Sequence, residues 1–170
     1  MRLEELPSGS SVFIDANIFI YHFSGVSPEC SRALERCATS ELVGATTAHI
    51  VLEVAHRMML LEAVLKGVVA RGDVAKKLAE RPEAVSQLGE YRHNVQAIPE
   101  MGITVLPVSF AMWQSGTEYQ QRYGLLTSDA VLLAACVDNH CRNLASGDKA
   151  FALAKEIRLY APSNAYNRGR

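Results

Sequence analysis

The sequence predicts a single α/β domain, residues 1–170, built on a parallel sheet of four to five strands with helices on both faces. Short apolar runs alternate along the chain with longer segments of helical periodicity. This alternation is typical of parallel sheets, because parallel neighbours need a crossover connection that is usually a helix. A chain of 170 residues is also long enough to bury one core of ordinary size.

The first half of the chain opens with two predicted strands, each followed by a helix. Residues 11–15 form a short buried strand, and Asn17 begins the helical segment that follows it. A second helix opens at residues 27–29, because serine is a favoured cap and proline suits the first helical position. Residues 42–46 form the second strand. Thr47 is then expected to cap a helix whose apolar positions recur every 3.6 residues, at Ile50, Val54, Met58 and Leu61.

Residues 60–100 predict a helical insertion. The pattern there stays helical, but four helix-breaking residues interrupt it, at Gly67, Gly72, Pro82 and Gly89. We therefore expect two or three helices that form an inserted hairpin. Charged residues are denser in this segment, which suits a face exposed to solvent.

The second half of the chain returns to alternating strands and helices. Gly102 precedes a strand at residues 103–108. Two helices, a fourth strand, a short helix and a last strand follow, at about 109–123, 127–138, 143–145, 149–156 and 158–160. Thr127 or Ser128 is expected to cap the second of these helices.

Composition and charge exclude several classes of protein. An apolar content of 49% and a charged content of 21% indicate a globular protein, not a disordered one. A net charge of −1 and a pI near 6.5 argue against a protein that holds duplex DNA by charge alone. We expect neither a signal peptide nor a membrane span, because no apolar run has the required length and flanks.

The four cysteines are expected to be reduced thiols in a cytoplasmic protein. Cys30 and Cys37 lie seven residues apart on a predicted helix, which places their Cα atoms about 10 Å apart. That distance is too long for a disulfide. Cys136 and Cys141 lack the C-x-x-C spacing of redox and metal sites.

Four acidic residues lie in apolar segments, where a charge is costly to bury. They are Asp15 after the first strand, Glu53 midway along a helix, Asp129 at the start of a helix and Asp148 after the fourth strand. Two carboxylates about 4 Å apart repel by roughly 4 kcal/mol at an effective dielectric constant near 20. A pocket that holds four carboxylates therefore favours a divalent cation, and oxygen ligands suit Mg²⁺ or Mn²⁺.

The positions of these acids on the predicted sheet indicate that they converge. Open α/β sheets bind ligands outside the carboxyl ends of their strands. Asp15 and Asp148 follow strand ends, and the helices that carry Glu53 and Asp129 can reach the same edge. Carboxylates on rigid elements, with open positions for water and a phosphate oxygen, are what metal-dependent phosphoryl transfer requires.

The segments that contain these acids resemble the motifs of the PIN-domain ribonucleases. Among these, the chain is most similar to the VapC-type toxins of bacterial type II toxin–antitoxin systems. The resemblance covers about residues 11–161, and the order and spacing of the motifs fit the family pattern. The segments are FIDANIFIY (13–21), LEVAHR (52–57), LLTSDAVLLAA (125–135) and SGDKAF (146–151).

The resemblance implies a PIN-like fold, a site and partners. Asn17 and Ser146 match the small polar residues that support the acids. The resemblance also implies cleavage of single-stranded RNA by a metal-activated water, a homodimer, and an antitoxin protein that plugs the active site. The residues implied to bind Mg²⁺ or Mn²⁺ and to carry catalysis are Asp15, Glu53, Asp129 and Asp148.

Several cationic residues are candidates for contact with RNA. Arg57 lies one turn after Glu53, and Lys149 follows the last of the four acids, so either could reach a phosphate. Alternatively, Arg57 is a surface partner of Glu53 at i,i+4 spacing. Arg168 and Arg170 in the tail could touch the RNA backbone, and a frayed terminus is the alternative there.

Each residue of the site also has a simpler interpretation. Asp129 and Asp148 could cap helices, and Asn17 and Ser146 could be ordinary loop or turn residues. The order of the whole set favours the nuclease over these interpretations. Two related alternatives are a solitary RNA-processing PIN nuclease and a non-catalytic PIN-like module that binds RNA or a protein partner.

Two other chemistries have sequence signals. Glu53–His56 and Glu90–His93 both have the E-x-x-H spacing that di-iron four-helix proteins use twice. That class needs an essentially all-helical chain, which the predicted strands contradict. Aspartate-nucleophile phosphatases have D-x-D after the first strand, whereas this chain has Asn17 two residues after Asp15.

Overall fold

The sheet is the centre of the fold. The structure, a computed structural model, describes residues 1–163. Within that range the strands are β1 (Ser11–Ile14), β2 (Val43–Thr47), β3 (Thr104–Leu106), β4 (Asn143–Ala145) and β5 (Arg158–Tyr160). They form one sheet in the order β3-β2-β1-β4-β5, and all neighbours are parallel. The predicted parallel α/β architecture is therefore confirmed, with five strands.

Helices connect the strands, so the all-helical di-iron alternative is wrong. Two short 3₁₀ segments span Leu3–Glu5 and Lys149–Leu153, the second being shorter than the helix expected at 149–156. The α-helices are α1 (Ala16–Phe23), α2 (Pro28–Ala38), α3 (Ala48–Leu65), α4 (Val74–Ala79), α5 (Pro82–Gln87), α6 (Glu90–Glu100), α7 (Phe110–Tyr123) and α8 (Thr127–Asp138).

The strand order creates a point where the chain changes direction across the sheet. From the central strand β1 the chain first adds β2 and β3 on one side, and then crosses to add β4 and β5 on the other. In open α/β sheets the crevice at such a point, at the carboxyl ends of the strands, is where ligands bind. Here β1 pairs with β4 through Phe13–Leu144 and Ile14–Ala145. The backbone N–H of Asp15 continues the pairing, donating to the carbonyl of Ala145 at 3.0 Å.

The main core lies against this central part of the sheet. Helix α8 is apolar around its whole circumference, because residues 130–136 are all buried. Helix α7 approaches α8 closely at Gly116, where an added Cβ would lie 3.2 Å from the backbone nitrogen of Val131. The close approach explains the glycine at that position and fixes α8 beside the sheet.

The predicted insertion forms a helical hairpin of three helices, α4 to α6, with a small core of its own. That core contains Ala63, Val69, Leu78, Ala84 and Leu88. The side chain of Glu62, which is 4% exposed, holds the hairpin against α3. Its carboxylate accepts hydrogen bonds from the backbone N–H groups of Gly89 (3.0 Å) and Tyr91 (2.9 Å) at the start of α6. Lys66 pairs with the same carboxylate at 2.7 Å.

Two local predictions were wrong. Neither Thr127 nor Ser128 caps α8; the N-cap position is held by Leu126, whose side chain makes no capping bond. The chain reaches this helix through Gly124, which has a left-handed backbone, and through the buried side chain of Leu125. Packing of Leu125 therefore sets the start of α8 instead of a polar cap. The strand predicted at 103–108 is shorter, and Pro107, which has no N–H to donate, follows directly after it.

Two further predictions concern cysteines and membranes. Cys30, Cys37, Cys136 and Cys141 are all free and buried, in agreement with the prediction of reduced thiols. Across residues 1–163, the helices lack the combination of length and apolar character that a membrane crossing requires.

Candidate metal centre

Asp15 lies at the carboxyl end of β1 and is also the N-cap of α1. Only 5% of its surface is exposed. Its Oδ1 accepts a hydrogen bond from the backbone N–H of Ala16 at 2.6 Å, and its Oδ2 accepts from the hydroxyl of Ser146 at 2.6 Å and from the Asn17 amide. An ionised carboxylate offers about four lone pairs, so these three bonds orient the group and leave it able to bind one further partner.

Asn17 and Ser146 join the end of β1 to the loop after β4. The side-chain oxygen of Asn17 accepts from the backbone N–H of Gly147 at 2.7 Å, and its nitrogen lies 3.2 Å from the Ser146 hydroxyl oxygen. That hydroxyl oxygen also accepts from the backbone N–H of Asp148 at 2.9 Å. The structure therefore brings Asp15, Asn17, Ser146 and Asp148 into one hydrogen-bonded group.

Asp148 is a helix cap and a member of this group at the same time. Its Oδ1 accepts from the backbone N–H of Ala150 at 2.8 Å, at the start of the 3₁₀ segment. The cap interpretation made from the sequence is thus correct in geometry. The capping bond uses Oδ1 of the carboxylate, and the Asp148 side chain is exposed at the edge of the sheet.

The electrostatics link the remaining acids to the group. Burial raises the pKa of Asp15 to about 6, although hydrogen bonds from Ser146 and Ala16 act in the opposite direction. The negative charges of Glu53 and Asp148 raise it further. Burial likewise raises the pKa of Asp129 to about 6, and the charges of the other three acids add to this effect. Four carboxyl groups, on β1, α3, α8 and the loop after β4, therefore share one electrostatic environment.

This set of donors fits a hard divalent cation. The charges of neighbouring acids raise the pKa of Asp15 and of Asp129, and within residues 1–163 no three Asp, Glu, His or Cys side chains converge closely enough to form a metal site. The mutual repulsion of these carboxylates costs free energy while no cation lies between them. A cation would replace this repulsion with attraction, and oxygen ligands favour Mg²⁺ or Mn²⁺.

The cationic candidates lie at the margin of the site. The guanidinium of Arg57 is 3.5 Å from the Glu53 carboxylate, and the two side chains are 60% and 37% exposed. This is the surface pair that the i,i+4 spacing suggested. Lys149 is exposed and begins the 3₁₀ segment beside Asp148. Arg168 and Arg170 lie outside the described residues.

One residue at this site was missed in the sequence. His49, in the first turn of α3, lies 2.9 Å from the hydroxyl of Thr47 through Nδ1 and 3.1 Å from the backbone carbonyl of Ser128 through Nε2. Ser128 is the neighbour of Asp129, and His49 is four residues before Glu53. That i,i+4 spacing on one helix face was the only signal available before the structure.

The four acids differ in exposure: Asp15 is buried, Glu53 and Asp129 are half-buried, and Asp148 is exposed. A cavity of about 560 Å³ is elsewhere, between the first residues of the chain and α2, and is lined by Leu3, Leu6, Glu29, Arg32, Arg36 and Glu41 among others. It contains none of the four acids. Asp15 and Asp129 are the stronger indication of chemistry, because burial and neighbouring charges raise the pKa of both, and groups with perturbed pKa values cluster at functional sites.

Comparisons with known proteins agree with this fold. The sequence matches the PIN domain family over residues 12–157. A toxin–antitoxin complex from Klebsiella pneumoniae contains a similar fold, with 20% identity, a TM-score of 0.52, and coverage of 86% of this chain and 95% of the other. VapBC2 from Rickettsia felis, bound to a DNA fragment from its promoter, has 11% identity and a TM-score of 0.56. The match covers 89% of this chain and 98% of the other. VapC20 from Mycobacterium tuberculosis, a toxin that cleaves the sarcin–ricin loop, has 16% identity, a TM-score of 0.54 and coverage of 86% and 98%. No curated protein matches by sequence.

Proposed function

The chain belongs to the PIN domain family, and we propose that it is a metal-dependent endoribonuclease that hydrolyses phosphodiester bonds of single-stranded RNA. The observation that carries the proposal is the group of four carboxyls at the carboxyl edge of the sheet, whose charges raise the pKa of Asp15 and Asp129. A charge cluster of this kind destabilises the folded chain, so its presence favours a cation-binding role over a purely structural one.

The acids divide into direct and supporting roles. Asp15, Asp129 and Asp148 would hold the metal most directly, and Glu53 would complete the cluster or act through water. Ser146 and Asn17 keep the Asp15 carboxylate in one orientation by hydrogen bonds to Oδ2. When bound, Mg²⁺ or Mn²⁺ lowers the pKa of a water molecule and neutralises charge on the scissile phosphate.

The position of the site supports a polymeric substrate. Of the four acids, Asp15 is buried, Glu53 and Asp129 are half-buried and Asp148 is exposed, so a strand of RNA would approach the cluster from the side of Asp148. A net charge of −1 gives the chain little general electrostatic attraction for a duplex. Arg57, which pairs with Glu53, and Lys149, which follows Asp148, are the candidates for contact with phosphates of the RNA. One of the similar structures is itself a toxin that cleaves an RNA loop.

We further propose a cytoplasmic toxin that forms a homodimer and is held inactive by an antitoxin protein. Support comes from two similar structures that are toxin–antitoxin complexes. A solitary RNA-processing nuclease is the alternative for the same site. The neighbouring reading frame separates the two, because a short upstream gene for a small DNA-binding protein with a basic tail is expected only for the toxin. Co-expression of that protein should suppress the ribonuclease activity.

The test of the activity is cleavage of single-stranded RNA by the purified chain in Mg²⁺, in Mn²⁺ and in EDTA. Wild type should cleave with either metal and not with EDTA, and Asp15→Asn should fold normally without cleaving. Asp138→Asn is the matched control, since it makes the same change at an exposed position at the end of α8. Cleavage by Asp15→Asn at the wild-type rate would remove the central residue from the mechanism.

A further inference from the structure

His49 connects the two helices that carry Glu53 and Asp129. Its Nδ1 lies 2.9 Å from the hydroxyl oxygen of Thr47, and its Nε2 lies 3.1 Å from the backbone carbonyl oxygen of Ser128. The second contact joins the first turn of α3 to the first turn of α8 across 79 residues of sequence.

The contact between His49 and the carbonyl of Ser128 fixes the position of one ring proton. A carbonyl oxygen can only accept, so Nε2 must carry the hydrogen and donate to Ser128. With Nε2 protonated in a neutral ring, Nδ1 accepts from the hydroxyl of Thr47. Burial lowers the pKa of His49, against smaller opposing effects of Ser128 and Glu53, and so favours the neutral ring.

The hydroxyl of Thr47 binds His49 instead of capping α3. Thr47 is fully buried and occupies the N-cap position of α3, where a threonine hydroxyl normally accepts from a backbone N–H of the first turn. No such capping bond is made, and the hydroxyl is directed to His49 instead. The ring is therefore fixed from one side by Thr47 and binds α8 from the other.

We propose that His49 is a positioning residue of the metal centre: its ring fixes the first turn of α8 against the first turn of α3, and so sets the placement of Asp129 relative to Glu53. This inference rests on the proposed function. His49 and Glu53 are four residues apart on one face of α3, and Ser128 is adjacent to Asp129 along α8.

The contact from His49 adds to the packing of Leu125 at the start of α8. Its N-cap residue, Leu126, is exposed and makes no side-chain capping bond, so the first turn has no polar cap of its own. The acids on the two helices also repel each other when no cation is present. Replacing a residue that orients a metal ligand without contacting the metal typically changes metal affinity by about 10–100-fold.

The experiment measures Mn²⁺ affinity by electron paramagnetic resonance without RNA, and cleavage of single-stranded RNA separately. His49→Ala and His49→Asn should weaken Mn²⁺ binding by about 10–100-fold and lower kcat more than they change KM. His49→Gln should keep most of the affinity, because its longer amide can place an N–H donor near the position of Nε2, which asparagine cannot reach. Thr47→Val, close in shape to the original, should also weaken binding by freeing the ring.

The control is His22→Ala. His22 is also a partly buried histidine with a serine hydroxyl partner, Ser31 at 3.0 Å, and it lies at the far end of α1. The His22→Ala variant should bind Mn²⁺ with the affinity of wild type. Circular dichroism and thermal melting in EDTA identify the variants that stay folded.

The outcomes separate this inference from the proposed function. Folded His49→Asn or Thr47→Val with wild-type Mn²⁺ affinity would overturn the positioning role, as would His49→Gln binding no better than His49→Asn. Wild type that binds Mn²⁺ but cleaves no RNA would overturn the ribonuclease and leave the comparison of variants intact. Wild type that binds no Mn²⁺ would overturn both.

Discussion

The hydroxyl of Ser146 donates a 2.6 Å hydrogen bond to the carboxylate of Asp15, joining residues 131 positions apart in the sequence. The same oxygen accepts the backbone N–H of Asp148. One buried serine therefore connects the ends of β1 and β4 and orients two of the acids. The packing of these two strands side by side is what places three residues of the candidate site in contact.

Ser146→Ala should destabilise the folded chain by about 1–3 kcal/mol, because a buried carboxylate and a backbone N–H each lose a partner. The pKa of Asp15 should rise further, since the Ser146 hydrogen bond lowers it. Chemical denaturation measures the first effect and NMR titration the second. Ser86→Ala removes an exposed serine that bonds only its own helix, and should change stability by less than about 0.5 kcal/mol.

Asp15 should make the metal-free protein more stable in mild acid than at neutral pH. Its pKa is about 6 in the folded chain against an ordinary value of 3.8, so the folded state holds the proton more tightly. The resulting stabilisation is complete below pH 3.8 and is lost as the pH rises through 6. The difference between the folded pKa of about 6 and the ordinary value of 3.8 corresponds to about 3 kcal/mol in the free energy of unfolding.

The measurement is the free energy of unfolding in EDTA from pH 4 to 7.5 for wild type, Asp15→Asn and Asp138→Asn. The difference between wild type and Asp15→Asn should change across this range, while the difference between wild type and Asp138→Asn should stay nearly constant. Parallel curves for all three proteins would show that the Asp15 carboxyl is not held at a raised pKa.

Millimolar Mg²⁺ or Mn²⁺ should raise the melting temperature of wild type, because a ligand that binds only the folded state stabilises it by mass action. At a free metal concentration 100 times Kd the gain is about 2.7 kcal/mol, or roughly 5–10 °C for a chain of this length. The shift should shrink below pH 6, where protons compete for Asp15 and Asp129. An equal shift in Asp15→Asn would place the bound metal at some other site.

Glu62→Gln should loosen the inserted hairpin. Burial raises the pKa of Glu62, but the hydrogen bond from Lys66, followed by those from the backbone N–H groups of Tyr91 and Gly89, holds it at about 2. Its stabilisation is present above pH 4.5 and is lost as the pH falls through 2. Backbone amides in the first turn of α6 should exchange hydrogen faster in Glu62→Gln than in wild type. Glu118→Gln, at an exposed position of α7, is the control, and equal exchange in both variants would contradict the anchoring role.

Much of the fold could be predicted from local sequence patterns. The alternation of apolar runs and helical segments predicted the parallel sheet, because strand and helix periodicity are properties of neighbouring residues. Asp15 and Asp148 could be assigned to strand ends for the same reason. The insertion was also recognisable, since glycine and proline interrupt helices wherever they occur.

Contacts between distant segments were decided by the tertiary structure alone. The bond from His49 to Ser128, the placement of Glu62 at the start of α6, and the start of α8 set by Leu125 instead of a polar cap all depend on how whole helices pack. Local pattern indicates which side of a helix is buried, but the partner that this side meets depends on the order of the strands. That order, with β1 between β2 and β4, is what brings the acids to one edge of the sheet.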